Sequence, residues 1–144
     1  MIEIPAALAL FAADRFAKKA SREGKTYEGK CISFTNSAKP GAYLRVGEKH
    51  PEVTKAAAAG MSLAVLGAAV QAYGTGAGGL RKTALCLLLS GALSNTLDRF
   101  TKGCVTDYLQ IRKPGGTLGK MVYNLADFSV FAGAGILIVS ELKK

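Results

Sequence analysis

The chain has 144 residues, 49% apolar and 20% charged, and its 19 Lys and Arg against 10 Asp and Glu give a net charge of +9. That length is one domain's worth, and the apolar content excludes a disordered chain or a charged coiled coil. The basic excess leaves nucleic acid or an anionic membrane surface as the first partners to weigh.

The charges are segregated, and the stretches between them predict helices in chain order. Ile4–Ala13 carries no charge, and a first helix is expected over about 2–20, with Asp14, Arg15 and Lys18 in its final third. A polar connection, 21–53, follows. Within it Lys30–Thr35 and Ala42–Val46 alternate apolar and polar residues around a turn signal at Ala38-Lys39-Pro40-Gly41. Half-exposed strands alternate in this way, so a small surface β element is expected over about 28–48. Ala56–Leu80 then runs for 25 residues without a charged side chain, and a helix is expected over about 54–73. A surface helix of a soluble protein needs a polar face, and this stretch has none. Gly74–Gly79 matches G-x-G-x-x-G, but it follows an apolar helix with no βαβ unit around it and reads as an interhelical turn. Thr83–Leu97 is uncharged and predicts a third helix over about 80–99; the segment 100–119, with Lys113-Pro114-Gly115-Gly116, reads as a loop. Met121–Ser140 is interrupted only by Asp127 and predicts a fourth helix over about 120–141.

A hydrocarbon core about 30 Å thick needs about 20 largely apolar helical residues. The expected fold class is therefore an all-α integral membrane protein. It has four transmembrane helices and a small β element in the first connection, in one membrane-embedded domain over 1–144. No basic segment precedes the first apolar run, so that helix is expected to remain as an anchor. Nucleic-acid binding is set aside, because it would require the uncharged segments to be soluble.

Few residue types suggest catalysis. Cys31, Cys86 and Cys104 are odd in number and widely spaced, which indicates neither a zinc site nor a disulfide framework; Cys86 reads as a packing residue. His50, the only histidine, lies in a loop with no nucleophile motif beside it. No metal and no cofactor is expected. The aspartates are more telling. All four, Asp14, Asp98, Asp107 and Asp127, lie at the ends of predicted spans, whereas the glutamates lie mostly in loops and termini. An ionisable residue at such a place is a functional hypothesis by default. Asp14 and Lys18 share a helix face at i, i+4; so do Asn95, Asp98 and Arg99, and so do Asn124 and Asp127. With antiparallel neighbouring helices, all four aspartates fall near one membrane face. Two close carboxylates in a low-dielectric site cannot easily both ionise. Such a pair can take a proton from water and give one to a leaving nitrogen. Asp14 and Asp98 have cations beside them in sequence, so they read as structural ion pairs. Asp107 and Asp127 have none, which makes them the catalytic candidates.

These segments resemble lipoprotein signal peptidase (signal peptidase II). Asp14-Arg15-Phe16-Ala17-Lys18 is similar to that family's D-x-x-x-K, and Asn36 with Gly41-Ala42 to its N-x-G-A-A. Gly91–Arg99 is similar to its G-x-x-x-N-x-x-D-R, Gly103–Tyr108 to its G-x-V-x-D-[FY], and Asn124–Asp127 to its N-x-A-D. The resemblance implies a four-helix membrane aspartyl protease that cleaves diacylglyceryl-modified prolipoproteins just before the lipidated cysteine. It implies Asp107 and Asp127 as the dyad. Asn95, Arg99 and Asn124 would position dyad and substrate, and Asp98 would orient Arg99. Asp14 and Lys18 would shape the site, Asn36 would support it, and the polar first connection would receive substrate. It implies a multi-pass protein of the bacterial cytoplasmic (inner) membrane with its active site at the outer face. The expected partners are lipid-modified prolipoproteins and membrane lipids, anionic ones included; nucleic acid is not among them, and the chain is expected to be a monomer.

There are departures from the pattern. Ser37–Pro40 interrupts the spacing after Asn36, and 108–123 carries Arg112-Lys113-Pro114-Gly115-Gly116 with no Trp. These altered regions and the basic surface motivate an alternative, a divergent non-catalytic homologue that binds lipidated peptides or anionic lipid. The charge distribution also opposes the implied topology: 15 of the 19 cations fall on the face that carries the aspartates, and the positive-inside rule would place that face in the cytoplasm.

Overall fold

The computed structural model describes residues 2–29, 32–40, 50–111 and 122–143. It has four helices and a four-stranded sheet. They run α1 (Glu3–Arg22), β1 (Tyr27–Glu28), β2 (Ile32–Pro40), α2 (Pro51–Gly74), α3 (Gly79–Lys102), β3 (Cys104–Ile111), β4 (Val122–Tyr123) and α4 (Leu125–Leu142). The helix boundaries follow local chemistry. Pro51 opens α2, where its missing N–H costs no hydrogen bond. Gly103, at φ +75°, ends α3 in the left-handed conformation that glycine adopts without strain. Asn124 opens α4 with a capping box: its side chain accepts from the Asp127 N–H, and the Asp127 side chain accepts from the Asn124 N–H. The fourth helix thus begins at Leu125 and not at about 120, because the cap and β4 occupy the residues before it.

Side-chain contacts fix how the helices run. Ser90 and Ser94 meet Ala7 and Asp14, so α3 runs parallel to α1. Ser62 meets Thr96 and Tyr73 meets Cys86, so α2 runs antiparallel to α3. Glycines bring α4 against α3. A Cβ on Gly91 would fall onto the Ala126 carbonyl oxygen, and one on Gly133 would lie 2.8 Å from Ala84 O and Leu88 N. Helices in lipid pack closely through such small residues. Gly91→Ala is expected to force α3 and α4 apart and cost about 1–3 kcal/mol. Gly67→Ala, whose Cβ meets nothing within 4 Å, is expected to be neutral or slightly stabilising. Thermal unfolding of the two variants in detergent checks this, and equal midpoints would contradict it.

The sheet is antiparallel in the order β1-β2-β3-β4 and lies at the end of the bundle where α1 and α3 finish and α2 and α4 begin. It corrects two expectations. Within the segment read as a loop, 100–119, Cys104–Ile111 form strand β3, which pairs with β2 from Ile32↔Ile111 to Pro40↔Cys104, while 112–119 lie outside the described residues. Ala38, Lys39 and Pro40, read as turn residues, continue β2 in that pairing. The Val, Thr, Tyr and Ile content of Cys104–Ile111 favours a strand, and long-range pairing overrode the local turn signal. The expected strand at 42–46 lies outside the described residues.

The interior is inverted relative to a soluble protein. The largest fully buried side chains are Lys18, Asn124, Thr106, Asp14 and Asp98, whereas Leu8, Phe16, Val53, Met61, Leu63, Val70, Phe131 and Ile138 are exposed. Among the described residues two helices, α2 and α4, are long and apolar enough to cross a membrane, with mean hydropathy 1.6 and 1.7 and only 17% of each span buried. A soluble core helix would bury that surface; hydrocarbon accommodates it outside.

Candidate functional site

The site is built where the helix ends meet the sheet. One face of α1 carries Asp14 and Lys18, and the facing side of α3 carries Ser94, Asn95 and Asp98. All of these but Asn95 are fully or almost fully buried. The Lys18 Nζ lies 2.9 Å from Asp14 and 3.1 Å from Asp98, and donates to Asn95 Oδ1 at 2.8 Å and Ser94 Oγ at 3.3 Å. A buried ammonium is tolerable only with such complete pairing. The expected Asp14–Lys18 ion pair is therefore present.

Asp14 also anchors α4. Its Oδ1 accepts from Tyr108 OH at 2.8 Å and from the Ala126 N–H at 3.2 Å, and Tyr108 OH accepts from the Leu125 N–H at 3.0 Å. Two free N–H groups of the first turn of α4 are thereby satisfied from outside the helix. Burial, and then the Asp14 carboxylate, push the Tyr108 phenol well above its ordinary value, so it remains a donor.

Asn124 joins the two remaining aspartates. Its Nδ2 donates to Asp107 Oδ1 at 2.8 Å, its Oδ1 accepts from the Asp127 N–H at 2.8 Å, and its own N–H donates to Asp127 Oδ2 at 3.1 Å. Asn95 Nδ2 donates to Asp127 Oδ1 at 2.9 Å, while Asn95 Oδ1 accepts from Asn124 at 3.2 Å. A chain of contacts thus runs from Asp14 through Lys18, Asn95 and Asn124 to Asp127 and Asp107. Arg99 closes the site: it donates to Asn95 O at 3.4 Å and interacts electrostatically with Asp127, then Asp107, then Asp98. Its Nε is buried without a hydrogen-bond partner among the described residues.

One expectation is corrected. Asp98 does not pair with Arg99. It is held by Arg15 at 2.6 Å, by Lys18, by Lys102 and by Arg22 at 3.8 Å, and it accepts from the Thr106 N–H at 3.2 Å. Successive helix residues point about 100° apart, so sequence neighbours do not face each other. Asn36 is exposed beside the irregularity in β2 and makes none of the cluster's hydrogen bonds among the described residues. Sequence reasoning missed Ser94, Thr106, Tyr108, Arg15, Arg22 and Lys102. Extending the Asp98 face one turn back would have found Ser94, and extending the Asp14–Lys18 face one turn on would have found Arg22. Of the cysteines, Cys86 is buried and Cys104 half-buried, both as free thiols; Cys31 lies outside the described residues. His50 is exposed at the start of α2.

A helical membrane bundle with carboxylates gathered at one end defines the class, and comparison defines the family. The profile of signal peptidase (SPase) II matches residues 6–143. The chain belongs to the signal peptidase II family, and with it to the membrane proteins of bacteria. The lipoprotein signal peptidase of Allorhizobium ampelinum is 42% identical over 57 residues, 40% of this chain and 34% of that protein. That of Paraburkholderia phytofirmans is 40% identical over 62 residues, 43% of this chain and 35% of that protein. The matched stretch thus spans about a third of these relatives. A bacterial membrane enzyme solved by the in meso method at 2.3 Å shares the fold, with a TM-score of 0.81 at 22% identity, over 99% of this chain and 88% of that one. A second such structure, at 1.9 Å, gives 0.72 at 22% identity over 99% and 94%.

Proposed function

We propose that this chain is a membrane aspartic endopeptidase that removes the signal peptide from diacylglyceryl-modified prolipoproteins. The observation that carries the reading is the contact of one buried residue, Asn124, with both Asp107 and Asp127. Two carboxylates held in a water-poor site share a proton, so one is a base and the other an acid. The base takes a proton from a water molecule, whose oxygen attacks the scissile carbonyl carbon. The acid protonates the departing nitrogen of the lipidated cysteine. Asn95 and Asn124 hold the carboxylates, and Lys18 holds Asn95. Arg99, with donors to spare, faces the carbonyl oxygen as it gains charge.

The reading includes four membrane spans, of which α2 and α4 are long and apolar enough by themselves. Beyond α2 and α4, helices α1 and α3 expose Ile4, Leu8, Leu93 and Leu97 outward and turn Asp14, Lys18 and Asp98 inward. The sheet then lies at the membrane surface beside the dyad, where an extended substrate can reach it, with Asn36 on its exposed side. The dyad end faces outward from the cytoplasmic membrane. Four of the cations that oppose this topology, Arg15, Lys18, Arg22 and Lys102, are held by buried Asp14 and Asp98 and are not free loop charges. An epitope at Lys25, in the exposed turn after α1, is expected to be accessible from outside intact spheroplasts; protection there until lysis would contradict the orientation. The activity itself is tested by hydrolysis of a diacylglyceryl-cysteine peptide by the purified chain.

A further inference from the structure

The cluster around Asp98 carries more positive charge than its carboxylates balance. Arg15, Lys18, Arg22 and Lys102 all lie within 3.8 Å of Asp98, and Lys18 is shared with Asp14. Four cations against two carboxylates leave a surplus of two positive charges among the described residues. The surplus is not sealed inside. Lys18 is fully buried, but the side chains of Arg15, Arg22 and Lys102 are 25%, 31% and 26% exposed. Three cationic heads converge on a single carboxylate, each with one side turned outward. Cations held this close repel one another, and the buried Asp98 can answer only part of that repulsion.

The surroundings point to the ligand. Phe16 and Phe100 lie within two residues of Arg15, Asp98 and Lys102 along their helices, and they are 72% and 57% exposed. One or two positions away on a helix, they point to other sides than the cationic heads, but they sit at the same level of the bundle, near the end where the helices meet the sheet, and face outward. Aromatic rings and the stems of Arg and Lys both favour the level of the lipid headgroups. We propose that Arg15, Arg22 and Lys102 form a binding site for the phosphodiester of an anionic phospholipid, at the headgroup level that the exposed Phe16 and Phe100 mark. Guanidinium forks suit phosphate oxygens, and Asp98 holds the three heads together in advance of binding. The inference rests on the membrane placement proposed above and not on the dyad.

The test measures lipid binding directly, so its outcome is separate from that of any cleavage assay. Wild type and the Arg22→Gln/Lys102→Gln variant are placed in nanodiscs of phosphatidylcholine doped with phosphatidylglycerol, and the lipids retained on the released protein are counted by native mass spectrometry. Wild type is expected to prefer phosphatidylglycerol. The variant is expected to lose about 30-fold of that preference, at roughly a factor of five for each cation removed near the surface. Circular dichroism establishes that the variant is folded, and single Lys102→Gln, expected to lose about fivefold, serves if the double variant is not. No preference in wild type, or the same preference in a folded variant, would overturn the proposal. So would displacement of the lipid by millimolar inorganic phosphate, which would show a site for free anions and not for a headgroup.

Discussion

Asp107→Asn and Asp127→Asn are each expected to abolish cleavage of a lipidated substrate while the protein still inserts and folds. An asparagine keeps the shape of the side chain but can neither take up a proton from water nor share one with the opposing carboxylate. General acid–base catalysis contributes about a hundredfold to ten-thousandfold, and dyad members act as a unit, so each single loss should approach the loss of both. The fold should tolerate either change. An asparagine at 107 can turn its own amide so that its oxygen still accepts from Asn124 Nδ2, and the cap of α4 by the Asn124 side chain does not need the Asp127 charge. Turnover of a diacylglyceryl-cysteine peptide and the thermal midpoint in detergent separate the two effects. A loss of turnover that only follows a loss of stability would count against the catalytic assignment.

Lys18→Met is expected to have the largest effect on stability. Methionine fills much of the same volume but removes the one cation that the described residues offer Asp14, and one of the four around Asp98. Breaking a buried pair by removing one partner costs about 3–5 kcal/mol, because the other charge is left in a medium that solvates it poorly. Asn95 would also lose the donor at 2.8 Å that sets its amide, and with it the orientation that supports Asp127. Combining Lys18→Met with Asp14→Asn removes the orphaned charge and should recover part of the stability but not the activity. Thermal unfolding of the single and double variants decides this; a single variant as stable as wild type would mean that Asp14 finds its balance elsewhere.

The helices were legible in the sequence because lipid simplifies the signal. A span such as Ala56–Tyr73 must be apolar all round, so an absence of charge locates it without any periodicity. The candidate site was legible for the same reason: a carboxylate such as Asp127 stands out inside an otherwise uncharged run. The sheet was less so. β1 and β4 are two residues each, and their existence depends on long-range pairing with β2 and β3, which no local pattern carries. The partner of Asp98 was also hidden. Arg99 is its neighbour in sequence, but Arg15 lies 83 positions away and reaches it only because α1 runs parallel to α3. The triangle of Asp14, Tyr108 and the first turn of α4 joins three elements and has no signature in any one of them.

The central claim is that Asp107 and Asp127 together hydrolyse the bond before a lipidated cysteine. The most direct measurement incubates purified wild type, Asp107→Asn and Asp127→Asn with a diacylglyceryl-cysteine peptide and its unlipidated twin, and identifies the products by mass spectrometry. The account predicts one cut, immediately before the cysteine, in the lipidated peptide alone and by wild type alone. Cleavage by either folded Asn variant at the wild-type rate, or none by folded wild type, would contradict it.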